Sequence, residues 1–151
     1  MKRLLSLLIF FSVSTAIYAI DISVVCAGFN SDKGNFFDVD VFVAGRTLKQ
    51  NQVDSINSIG AVKILVTFSS ETKFNAIDSF LAKSKPSLDP SDIHTAKRIF
   101  LPEGFYNIVV TVVDANKTES KAVYKTSAYL DFSERKLRQS DFLLCGNINA
   151  S

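Results

Sequence analysis

The feature that most limits the fold of this chain is an alternation of apolar and polar residues with a period of two, repeated along most of its length. Successive side chains of an extended strand point to opposite faces, so such a run has one face for a core and one for solvent. Phe37, Val39, Val41 and Val43 alternate with Phe36, Asp38, Asp40 and Phe42. Val62, Ile64, Val66 and Phe68 alternate with Ala61, Lys63, Leu65 and Thr67. Tyr106, Ile108, Val110 and Val112 alternate with Phe105, Asn107, Val109 and Thr111, which predicts a central strand covered on both faces. Ala122, Tyr124, Thr126, Ala128 and Leu130 alternate with Lys121, Val123, Lys125, Ser127 and Tyr129. Ile22 to Cys26 is a candidate first strand, and Asp141 to Cys145 a short last one. The abundance of Val, Ile, Phe, Tyr and Thr in these runs agrees with strand.

Residues 73–82 fit two patterns. Phe74, Ile77 and Leu81 recur at helical spacing, while Phe74, Ala76 and Phe80 fit a strand interrupted by Asp78. A strand is expected, because a hairpin is the shortest return from the polar turn at Ser69 to Thr72; helix is the alternative. Residues 45–60 and 83–92 read as polar connections, the second holding Pro86 and Pro90, which cannot donate to a ladder. His94 then lies on a polar approach to a strand. Asn116-Lys117-Thr118 is a turn between two strong strands. About seven short strands with turns between them predict an all-β, antiparallel β-sandwich of the immunoglobulin or fibronectin-III-like kind. With 47% hydrophobic and 21% charged residues, the chain is not a disordered tail or a low-complexity linker.

Met1 to Ala19 reads as a secretory signal peptide. Lys2 and Arg3 are basic, Leu4 to Val13 is apolar apart from Ser6 and Ser12, and Ala16 and Ala19 offer cleavage sites. The apolar run is shorter than the about 20 residues a membrane span needs. The expected organisation is a signal peptide over 1–19, a sandwich over 20–146 and a tail over 147–151. The expected location is the periplasm or the extracellular space. Cys26 as an acylated lipoprotein residue is disfavoured by its Ser23-Val24-Val25 context. Loss of Lys2 and Arg3 leaves 15 basic residues against 15 acidic ones, so the processed chain is formally neutral. No basic stripe points to nucleic acid.

One local motif is more specific. Leu101-Pro102-Glu103-Gly104-Phe105-Tyr106 leads straight into a strand. Pro102 presets φ for a turn, and Gly104 tolerates a positive φ. Tyr106 is then placed to turn its ring inward and bond backbone upstream through its hydroxyl, the logic of the tyrosine corner. This makes Leu101, Pro102, Gly104 and Tyr106 structural residues.

From Phe37 to Cys145 the chain resembles the β-domain that precedes the GWxTD motif in certain secreted bacterial proteins. The resemblance rests on Phe37-Asp38-Val39-Asp40-Val41, the run Val62 to Phe68, the Leu-Pro-x-Gly-x-Tyr element and the closing Ser140-Asp141-Phe142-Leu143-Leu144. The chain has no Trp, so the GWxTD motif itself is absent and no catalytic residue carries over. The resemblance implies a stand-alone β-domain or a piece of a longer protein.

Few residues offer chemistry. Cys26 and Cys145 are a candidate disulfide in an oxidising compartment, worth about 4–5 kcal/mol in a chain-entropy account; two buried thiols are the alternative. His94, the only histidine, has no Gly-x-Ser-x-Gly element for company. Asp38 and Asp40 share one strand face and read as solvated acids more readily than as a cation or glycosidase pair. Lys97-Arg98 and Arg135-Lys136-Leu137-Arg138 are short basic clusters; Asp131, Glu134 and Asp141 flank the second. Phe36 and Phe42, on the less apolar face of their strand in a chain with 13 Phe, are a candidate partner surface. A second buried face is the alternative reading for them.

No catalytic residue, metal site or cofactor is expected. The expected function is a non-enzymatic binding or assembly module of the bacterial cell envelope, with protein partners and no transmembrane span after signal cleavage. A carbohydrate-binding module is one alternative, weakened by the lack of Trp. A strand-addition subunit or chaperone-like factor, using Ile20 to Val25, is another.

Overall fold

A computed structural model describes residues 19–31, 33–71 and 75–130. The expected signal peptide (apart from Ala19), Asp141–Cys145 strand, basic cluster at 135–138 and tail at 147–151 lie outside the described residues. So does Cys145.

The described residues form an all-β, antiparallel structure. Its elements are β1 (Ile22–Ser31), β2 (Gly34–Val43), β3 (Asn51–Gln52), β4 (Ser58–Ile59), β5 (Ala61–Ser70), β6 (Asn75–Lys83), β7 (Ile93–Phe100), β8 (Gly104–Asp114) and β9 (Lys121–Leu130). One sheet has the order β1-β2-β7, a second β6-β5-β8-β9, and β3 pairs with β4. The inner faces of the two large sheets share one core. Val39, Val41 and Val43 of β2, Val62, Ile64 and Val66 of β5, and Ile108, Val110 and Val112 of β8 are all fully buried in it. These are the residues the alternation assigns to one face of each strand.

The expected count of about seven strands becomes nine among the described residues. Six of the seven expected strands lie among the described residues, and two changes add three more. The connection at 45–60 holds the short β3–β4 pair and sends Leu48 into the core. Asp54 closes its turn by accepting from the backbone N–H groups of Ile56 (2.8 Å) and Asn57 (2.7 Å) and from Asn57 Nδ2 (2.9 Å). The Asn57 side chain, then those backbone donors, hold the Asp54 carboxyl below its usual range.

The second change is β7, whose extent the period of two does not reveal. Its inner side carries Ile93, Thr95, Lys97 and Ile99, so the apolar pattern breaks in the middle. Residues 73–82 break in the same way at Asp78, and β6 covers 75–83 as strand. The two breaks answer each other. β6 and β7 are edge strands of opposite sheets, and Lys97 Nζ stands 3.3 Å from Asp78 and 5.6 Å from the Phe80 ring centroid. At a sandwich rim two inward polar residues keep access to water and to each other.

Three rings fasten the sheets together. Phe37 of β2 stacks on Phe68 of β5 at 5.7 Å, and the Tyr106 ring of β8 meets both edge-on at 6.1 and 6.2 Å. Such offset and edge-to-face pairs add to the stabilisation that burial alone supplies. The Tyr106 hydroxyl donates to the Pro102 carbonyl at 2.8 Å, and burial pushes its phenol pKa up. Gly104 has a φ of 156°, a value side-chain-bearing residues rarely adopt. Leu101 is buried beside this turn.

Tyr106→Phe removes the hydroxyl and keeps the ring. We expect a loss of about 1 kcal/mol with unchanged circular dichroism, whereas Phe37→Ala should cost about 3–5 kcal/mol. Urea unfolding measures both, and an unshifted Tyr106→Phe midpoint would show that the bond to Pro102 is energetically idle.

Candidate functional site

The outward positions of the two large sheets differ in chemistry, and strand register sets what each face presents. On the three-stranded sheet the outward rows are Phe29–Phe36–Phe100, Ala27–Asp38–Arg98, Val25–Asp40–Ala96 and Ser23–Phe42–His94. Among the described residues this face has no lysine.

Phe36 and Phe42 both lie on it, but in different states. Phe36 is only 5% exposed. It stacks on Phe29 at 5.5 Å, meets Phe100 at 5.4 Å and is roofed by the Arg98 guanidinium 4.0 Å from its centroid. Arg98 is held there by Asp38 through two bonds of 2.8 Å, a fork-to-fork geometry. Phe42 is 42% exposed, and Phe100 50%. The two sequence-predicted phenylalanines are six residues apart on β2, about 20 Å, and do not touch one continuous patch alone. The residues that complete the face, Phe100 and Arg98, come from β7, so they surface only with the pairing of β2 and β7.

Each of the charged candidates among the described residues has a partner. Asp38 is taken by Arg98, and Asp40 Oδ1 stands 3.3 Å from His94 Nε2. Lys97 and Arg98 do not act as one basic cluster, since one reaches inward to Asp78 and the other outward to Asp38. Among the described residues no group of three His, Cys, Asp or Glu comes together. Among the same residues no helix is long and apolar enough to cross a membrane.

The outer face of the four-stranded sheet is different. Its rows include Leu81–Lys63–Val113–Lys121, Ser79–Leu65–Thr111–Val123 and Ile77–Thr67–Val109–Lys125. Phe105 and Tyr129 pair at one end, and Lys83 flanks the other. Ile77 (69%), Leu81 (57%), Leu65 and Val123 are solvent-exposed here, while Val109 and Val113 are half-buried. This face is not legible in the sequence, because only the register brings residues from four separate runs into one surface.

At one end of the sheets, residues 46–49 and 115–120 border an open cleft of about 670 Å³. The fully buried Asp114 carboxylate fixes its walls by accepting from Lys49 N (2.7 Å) and Asn116 N (2.8 Å). Asn116 Nδ2 donates in turn to the Lys49 carbonyl at 2.9 Å.

Cys26 sits half-buried on the inner side of edge strand β1, beside Val39, with a thiol that is free among the described residues. Burial first, and the nearby Asp40 charge second, push that thiol up to about 11. Comparison with protein-family models, with curated proteins and with solved structures found no match for this chain.

The raised thiol pKa has a direction that alkylation reads. The folded chain keeps a proton that the unfolded chain releases between about 9 and about 11. Stability on this account is complete below that window and falls as pH rises through it. In the reduced Cys145→Ser chain, iodoacetamide should label Cys26 far more slowly folded than in urea at about pH 8, the gap closing as pH rises. Equal rates at that pH would contradict the burial.

Proposed function

We propose that this chain is an exported, non-enzymatic β-sandwich of the immunoglobulin or fibronectin-III-like kind, acting as a binding or assembly module in the bacterial cell envelope. The strand order supports the sandwich type. Numbering only the seven long strands, one sheet runs 1-2-5 and the other 4-3-6-7, with the tyrosine-corner geometry at the start of the sixth. The resemblance to the β-domain that precedes the GWxTD motif belongs to the same reading. The leader-like first 19 residues support export.

The observation that carries the binding role is the composition of the outer face of the three-stranded sheet. Protein interfaces favour aromatic residues and Arg and disfavour Lys at their centre. This face offers exposed Phe42 and Phe100, exposed Val25, and an Arg98 already oriented by Asp38. Its charges are paired in place, so a partner meets a preorganised surface and loses less side-chain entropy on docking.

Two measurements test this. Fractionation with N-terminal sequencing should find a processed chain, starting at residue 17 or 20, outside the cytoplasm. Retention of the full-length chain in the cytoplasm would end the envelope reading. In native gels of envelope extracts, a complex containing the chain should weaken at least about tenfold on Phe42→Glu with Phe100→Glu, since burying an unpaired charge costs several kcal/mol. An unchanged complex would move the binding site off this face.

A further inference from the structure

The outer face of the four-stranded sheet combines exposed aliphatic side chains with charge of one sign. Its outward strand positions carry Lys63, Lys83, Lys121 and Lys125 and no Asp or Glu. None of these lysines forms an ion pair among the described residues. The processed chain is formally neutral, so this is a segregation of charge onto one face rather than a basic protein. The lysines are interleaved with the apolar residues: Lys63 sits between Leu81 and Val113 in one row, and Lys125 ends the row that starts at Ile77. Phe105 and Tyr129, paired in register and both exposed, close one end.

We propose that this face rests on an anionic phospholipid surface. Three observations choose that occupant. A second copy of the chain would oppose four unpaired lysines to four more, so like charge argues against self-association through this face. A protein partner fits less well, because lysine is the residue depleted from protein interface cores, and here it lies among the aliphatic residues. Lipid suits the same arrangement. Lysine stems lie along apolar surface while their ammonium groups reach phosphates, and exposed Ile77, Leu81 and Val123 enter the headgroup boundary. The phenol and phenyl rings at the end match the amphipathic residues that settle at headgroup depth. β5 and β8 are paired on both sides, and the outer backbone groups of the edge strands β6 and β9 lie at the rim of the face, where headgroups and interfacial water pair them. The opposite face would then stay open to protein partners.

This inference rests on the envelope reading only for which membrane is met, and the test separates the two. The processed chain (residues 20–151) is sedimented with vesicles of phosphatidylcholine alone or of phosphatidylcholine mixed with phosphatidylglycerol. Partitioning should be at least about tenfold greater on the anionic vesicles, and should fall steeply between about 50 mM and about 0.5 M salt. Lys63→Gln with Lys125→Gln should lower it by about tenfold or more, and Ile77→Ser with Leu81→Ser should lower it as well. These four positions are exposed, and circular dichroism checks that each variant is folded. Lys33→Gln, in the turn between β1 and β2 of the other sheet, removes a lysine away from this face and should leave it nearly unchanged. Equal partitioning on both vesicles, no partitioning, or insensitivity to the lysine variants would overturn the proposal. So would dimerisation in the ultracentrifuge that the lysine variants alter. A chain that binds anionic vesicles but stays in the cytoplasm keeps this inference and removes the envelope reading; an exported chain that ignores vesicles does the reverse.

Discussion

Phe37, Phe68 and Tyr106 meet at the end of the core where β8 begins, one from the three-stranded sheet and two from the four-stranded one. Each sheet alone would leave an apolar face in water. The rings join those faces with specific geometry, so the sheets are held in one relative placement and not merely pressed together. Tyr106 adds a polar handle, because its hydroxyl reaches out of the core to the Pro102 carbonyl. That bond fixes the turn that feeds β8, the strand that lies between β5 and β9.

Once the inner faces are committed to the core, strand periodicity leaves every alternate residue outside. The two outer faces then diverge. On the three-stranded side Asp38, Arg98, Asp40 and His94 face one another across adjacent strands, and aromatic rings fill the rows around them. On the four-stranded side lysines stand among aliphatic residues, without opposing acids among the described residues. A formal net charge of only +2 conceals this, since net charge averages over faces that are turned in opposite directions.

The sequence disclosed some parts of this arrangement better than others, for identifiable reasons. β2, β5, β8 and β9 were legible because each keeps its inner face apolar or small throughout. β6 was ambiguous and β7 obscure because Asp78 and Lys97 point toward the interior side. Each looks like an error in its own run and becomes intelligible only as half of a pair across the sheets. Phe36 and Phe42 could be assigned to one face, yet their different fates depended on neighbours in β1 and β7. Arg98 and Phe100 cover the first, whereas the second stays open.

By itself the sequence determined that this chain forms pleated strands with one apolar side and that a Pro-x-Gly-x-Tyr turn starts one of them. Those are local consequences of side-chain alternation and of backbone restrictions, and they need no distant partner. Tertiary structure alone decided which strands neighbour one another, and hence that Arg98 would lie over Phe36 and that four lysines from three strands would share a surface. Register between strands far apart in the chain is settled by the collective fit of the core, which no single run of residues encodes.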